Sequence, residues 1–154
     1  MKKSDRIEAI LKNVQTEGAQ GFDRRYLAYF ECFNSQLYYE AHDVLEDLWL
    51  KERRQGHPST RFFQGLIQLA GAFVHLKKQA ARPWHPTHGR RLRPAYRLLG
   101  LAAANLRPFA PRHLGMDVEE LLHFCENQRA LLMEGDFRVN PWSPQGAPRL
   151  NPPF

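Results

Sequence analysis

The sequence predicts an all-α protein: a compact, single-domain bundle of about six helices around a central buried helix at about residues 60–80. Three observations carry this. Apolar residues recur at helical spacing along most of the chain, and two-residue alternation appears nowhere at useful length. The 154 residues are 43% hydrophobic and 25% charged, close to the globular average. Prolines and glycines fall between the periodic runs.

The elements follow in order. Ser4 and Asp5 precede Ile7, Ile10, Leu11 and Val14, which predicts a helix over about 5–17, stopped near Gly18 and Gly21. Phe22, Tyr26, Leu27, Tyr29, Phe30 and Phe33 predict a second over about 23–34. Asn34 or Ser35 is the expected cap of a third, over about 36–53. Pro58 and Ser59 open the fourth, over about 60–80. Pro83 and Pro86 break the chain into an exposed basic loop, and Pro94 fits the first turn of a fifth helix ending at Leu106. Pro108, Pro111 and Gly115 mark a connection. Asp117-Val-Glu-Glu120 has the form of a capping box for a sixth helix to about Glu134, with Gly135 as its C′ residue. The bundle domain spans 1–137. Residues 138–154 hold five of the eleven prolines and are expected to be an irregular tail.

Several function classes drop out. Two cysteines, Cys32 and Cys125, are too few for a disulfide framework or a four-cysteine zinc site, and are expected to act as small core residues. The longest uncharged stretch, Phe62–Leu76, is shorter than the ~20 apolar residues of a membrane span. No secretory signal pattern is seen, so a cytoplasmic, non-membrane protein is expected. There is no Gly-rich phosphate loop, nucleophile elbow or CxxC, and no cofactor is expected.

Charge is distributed unevenly. Residues 1–52 carry a net −3, residues 53–116 a net +12 with no acid at all, and residues 117–154 a net −3. Within the basic block, residues 77–97 are a candidate surface for nucleic acid or another polyanion. Arg82, Arg90, Arg91 and Arg93 are its anion-binding candidates, with Trp84 available to stack on a base. The competing reading is that these charges pair with the acidic outer segments. His85 and His88 in this loop are weaker candidates, for adventitious metal.

A second candidate comes from helical wheels. With Tyr38 at zero, Ala41, Val44, Leu45 and Leu48 fall at about 240–340°, Trp49 at about 20°, His42 at about 40° and Glu46 at about 80°. Glu40, Asp43 and Asp47 lie on the side expected to be solvated. With Phe62 at zero, Gln64, Gln68, Gly71 and His75 form one stripe at about 180–240° on an otherwise apolar helix. Buried polar groups need partners, so the two stripes are expected to face each other. The resulting cluster of His42, Glu46, Gln64, Gln68 and His75, with Glu40 nearby and walls of Tyr38, Tyr39 and Trp49, would be a partly buried polar pocket for a small ligand. Three readings compete: a structural hydrogen-bond network, a His–Glu acid–base pair, and a metal site of His42, Glu46 and His75. Oligomerisation through Trp84, Trp142 and Phe154 is a further alternative.

Phe33-Asn34, Tyr38-Tyr-Glu-Ala-His-Asp-Val-Leu-Glu-Asp-Leu-Trp49, Phe63-Gln-Gly-Leu-Ile-Gln-Leu-Ala70 and His75-Leu76 together resemble the domain-of-unknown-function 309 family. Ala95-Tyr-Arg-Leu-Leu99 and Leu114-Gly-Met-Asp-Val118 extend the resemblance over about residues 31–134. It implies a small all-helical protein with a central helix and no assigned activity. The family's recurrent polar positions fall on Glu40, His42, Glu46, Gln64 and Gln68, and position 43 is Asp where the family favours Glu. The basic loop at 82–93 is longer than the family leads one to expect.

Overall fold

The computed structural model describes residues 2–12, 14 and 21–153. Six helices carry the fold: α1 (Lys3–Lys12), α2 (Arg24–Asn34), α3 (Tyr38–Arg54), α4 (Thr60–Ala81), α5 (Leu92–Leu106) and α6 (Val118–Glu134). α4 packs against α3 on one side and α5 on the other, while α2 packs on α3 and α6 on α5. The expected all-α bundle with a central fourth helix is therefore present. Among the described residues, no helix is long and apolar enough to cross a membrane.

The core is aromatic. Tyr26, Tyr29, Phe30, Phe33, Tyr38, Phe62 and Phe73 are all fully buried. They meet largely edge to face, as at Tyr26–Phe30 (5.2 Å, 88°) and Phe33–Phe73 (5.2 Å, 72°), the arrangement ring quadrupoles favour. Each buried tyrosine hydroxyl has a partner. Tyr29 donates to the Leu66 carbonyl (2.6 Å), Tyr26 donates to the Leu114 carbonyl (2.8 Å), and Tyr38 accepts from Trp142 Nε1 (2.9 Å).

Local signals explain most boundaries. Asp23 caps α2 by accepting from the Arg25 amide, and Asp117 caps α6 by accepting from the Glu120 amide. Four expectations need correction. The first helix ends at Lys12, and the stop expected at Gly18 lies outside the described residues. Neither Asn34 nor Ser35 caps α3. Gln36 takes the left-handed conformation (φ 63°) to reverse the chain, and Asn34 holds the distant Leu150 backbone through both its amide groups (2.9 and 2.7 Å). Gly135 is not the left-handed residue after α6, because Asp136 and Phe137 take that role (φ 52° and 56°). The connection before α6 contains a two-stranded antiparallel hairpin, β1 (Arg112–His113) and β2 (Met116–Asp117). Its turn residues, Leu114 and Gly115, both have positive φ, as a tight two-residue hairpin requires. Two-residue strands leave no periodicity to read.

Residues 138–153 form no helix or strand and are bolted to the bundle. Trp142 and Leu150 are buried. Trp142 is therefore a core residue and not an exposed oligomerisation patch, and Phe154 lies outside the described residues.

Candidate functional site

The polar edge of α3 is assembled, and α1 covers it. Nδ1 of His42 lies 3.2 Å from Asp43 Oδ1, and Nε2 lies 3.8 Å from Glu46 Oε2. The Tyr39 ring stacks beside the imidazole (6.3 Å, 18°). From α1, Lys3 donates to Glu46, and Arg6 reaches Asp43 at 3.3 Å while its guanidinium sits 5.7 Å from the Tyr39 ring centre. Asp43, expected on the solvated side, is buried by this cover. Burial pulls the Lys3 ammonium down, but the hydrogen bond and charge of Glu46 outweigh it and hold its pKa above the usual range. Both carboxylates that could activate His42 are thus already engaged by cations. The arrangement fastens α1 onto α3.

The surrounding candidates scatter. Tyr38 is buried between Phe33, Phe73 and Trp142 and walls no pocket. Glu40 points the other way: after burial itself, its charge is the next cause holding the Cys32 thiol up at about 12. Trp49 is half-buried, with the Arg53 guanidinium 5.2 Å from its ring centre.

The α4 stripe faces α5, contrary to expectation. Asn105 of α5 donates to Gln68 (2.7 Å) and accepts from Arg61 (2.9 Å). Arg91, at the start of α5, donates to His75 Nδ1 (3.1 Å), and its own backbone amide donates to Gln79 (2.6 Å). A Cβ on Gly71 would meet Leu98 of α5. Gln64 is half-buried and has no hydrogen bond among the described residues. Phe73 and Leu66, about half a turn away on the wheel, are the residues that meet Tyr38 and Tyr29. The two stripes therefore lie on different interfaces of the bundle. The set His42, Glu46 and His75 does not converge, and no group of three or more His, Cys, Asp or Glu is placed to hold a metal ion among the described residues. Burial, then the charges of Arg91 and Lys78, push the His75 pKa down, so its imidazole is the neutral acceptor for Arg91. Gln79, missed in the sequence, continues the stripe one turn beyond His75.

The basic segment divides into inward and outward arginines. Arg91 turns inward and is structural, with a buried Nε that has no acceptor. Arg82, Arg90 and Arg93 are exposed, and Trp84 stands out with 76% of its surface accessible. The loop that carries them is tightly folded. His85 Nδ1 accepts from the amides of Thr87 and His88 (3.1 and 3.0 Å), and a Cβ on Gly89 would fall 2.3 Å from the Pro83 carbonyl oxygen. Through Nδ1, His85 thereby braces the loop. Seven Lys and Arg residues lie between 77 and 97, and among the described residues none of them pairs with a carboxylate. By contrast, the concavity of about 470 Å³ between α6, the hairpin and the C-terminal segment is lined by charges of both signs, Arg112 and Arg149 with Asp117 and Glu120.

No curated protein and no solved structure matches the chain. The match that is found covers α2, α3, α4 and the beginning of the basic loop, and leaves α5 and α6 outside: residues 26–85 match the family described as a domain of unknown function, DUF309.

Proposed function

We propose that this protein binds single-stranded nucleic acid through the surface formed by residues 77–97. The observation that carries the reading is a largely exposed tryptophan, Trp84, on a tightly folded loop whose surrounding cations have no carboxylate partner among the described residues. Had these charges served the fold alone, they would be expected to meet the acidic outer segments. Instead three acids of the first segment pair elsewhere: Glu46 with Lys3, Asp43 with Arg6, and Asp47 with Arg25. Unpaired cations attract phosphates, and an accessible indole face stacks on a base whatever its identity.

The roles divide by contact. Arg82 and Arg90 meet phosphates beside the loop, and Trp84 supplies the platform. Arg91 supports the start of α5 and touches no ligand. The test is titration of a short fluorescent oligonucleotide against wild-type protein, Trp84→Ala, and Arg82→Ala/Arg90→Ala. Stacking on an aromatic is worth about 1–3 kcal/mol per base, so Trp84→Ala should weaken binding by about 5-fold to 150-fold. The double arginine change should flatten the dependence of log K on log salt by about 1.4. Unchanged affinity in both variants, or no binding by wild type at about 50 mM salt, refutes the proposal.

A further inference from the structure

We infer that the groove between α5 and α6 is a phosphate-binding track, formed by Arg93, Arg97 and Arg129 and continuous with the basic loop. This deepens the reading above, and the identity of the chain that lies in the track rests on that reading. The groove encloses about 540 Å³. It shares Arg93 and Phe137 with a smaller hollow of about 270 Å³ that reaches Gly89 and Arg90, so the two form one path from the loop along α5. Among the described residues, no carboxylate lines either part.

Two aromatic rings hold the arginines in place. The Arg129 guanidinium lies 4.3 Å from the Tyr96 ring centre, and the Arg93 guanidinium lies 4.3 Å from that of Phe137. Phe137 meets Tyr96 edge to face (5.3 Å, 85°). Gly100 leaves room for Arg129 to lie across α5, since a Cβ there would sit 3.3 Å from the guanidinium carbon. Phe137 reaches its position from a left-handed backbone (φ 56°), a conformation unfavourable for a bulky residue.

These features fit phosphate and not bases. An arginine flattened on a ring has lost much of its rotamer freedom before any ligand arrives, and its N–H edge is shaped for two phosphate oxygens. Tyr96 and Phe137 are half-buried and each already carries a guanidinium group over its ring, so the exposed stacking platform is Trp84 and not these rings. Arg93 and Arg97 are one helical turn apart, roughly 5–6 Å between Cβ atoms, a spacing that disfavours the helix unless an anion bridges the charges. Among the described residues, neither Arg93 nor Arg97 pairs with a carboxylate, and Arg129 reaches one, Glu126, at 3.7 Å. Arg129 Nε is buried with no acceptor. The ligand class is thus a phosphate chain, read without regard to base sequence.

The experiment measures binding of two probes, inorganic polyphosphate and a single-stranded oligonucleotide, to wild type, Arg97→Glu, Trp84→Ala and a control, Arg54→Glu, that makes the same charge change on α3. Arg97 is exposed and has no hydrogen bond or ion pair among the described residues, so its replacement leaves the fold intact. The expected result is that Arg97→Glu weakens both probes about tenfold or more, Arg54→Glu changes either by less than about threefold, and Trp84→Ala weakens the oligonucleotide alone. Equal loss in Arg97→Glu and Arg54→Glu overturns the track, because net charge then explains the binding. So does polyphosphate binding that is indifferent to Arg97. If polyphosphate binds and requires Arg97 while the oligonucleotide does not bind, the track stands and the nucleic-acid reading fails.

Discussion

Replacing Gly65 by alanine tests where the central helix faces. Gly65 lies inside α4, where alanine is intrinsically better by about 1 kcal/mol. Taken alone, that predicts stabilisation. The new Cβ, however, would sit 2.8 Å from Leu106 Cγ, 3.0 Å from Leu106 Cδ2 and 3.2 Å from the Ala102 carbonyl oxygen. Cγ is a branch point of a fully buried side chain, and the carbonyl is backbone, so α5 itself must move away. Overpacking of this kind costs about 1–3 kcal/mol. The net expectation for Gly65→Ala is a loss of about 1 kcal/mol. Gly71→Ala is the internal control. Its Cβ would meet only the Leu98 Cδ1 tip at 3.3 Å, which can shift, so propensity prevails and stability rises by about 0.5–1 kcal/mol. Urea unfolding followed by circular dichroism reads the difference. With a slope of about 1–3 kcal/mol per molar, the midpoints of the two variants should separate by about 1 M. Equal midpoints, or Gly65→Ala the more stable, would refute the close approach of α4 and α5 and with it the assignment of the Gln68–His75 stripe to that interface.

Three other perturbations probe the same account. Tyr38→Phe leaves the buried Trp142 Nε1–H without its acceptor, and should cost about 1–3 kcal/mol in urea unfolding; no loss would mean that the C-terminal segment is not anchored there. His75 has a pKa below its ordinary 6.5, so the unfolded chain binds the extra proton first as pH falls. Wild type should therefore lose stability relative to His75→Gln as pH drops below about 6.5, and a difference independent of pH contradicts the buried His75–Arg91 contact. Burial holds the Cys32 and Cys125 thiols up at about 12, so neither should react with a thiol reagent at pH 8 until the protein is unfolded, and rapid labelling of the native protein would be inconsistent with the core described.

The helices were legible because their causes are local. Asp23 and Asp117 cap within a turn of themselves, and the apolar spacing of α2 to α6 is carried by consecutive residues. The site was less legible because it depends on which helix stands beside which. The wheel placed Gln64, Gln68 and His75 on one stripe, and the structure keeps them there. It does not say whether that stripe meets α3 or α5, and the neighbour in sequence was the wrong choice. The partners were Asn105 and Arg91, more than a dozen residues further on. His42, Asp43 and Glu46 were placed side by side by spacing alone, but their cover by Lys3 and Arg6 depends on the packing of α1. The basic segment was visible as composition. Which of its arginines faces solvent was not, because Arg91 and Arg90 are adjacent in sequence and differ only in the direction the turn before α5 gives them. Arg129 lay outside the basic segment altogether, and only the packing of α6 on α5 brings it to the same groove.

The measurement closest to the central claim is the affinity of the wild-type protein for a single-stranded oligonucleotide as a function of salt. Contact of Arg82, Arg90, Arg93, Arg97 and Arg129 with one phosphate each predicts a slope of log K against log salt near −3.5, falling in magnitude by about 1.4 in Arg93→Ala/Arg97→Ala. A slope near zero, or one that the double change leaves as it was, would contradict the assignment of this face to a phosphate backbone.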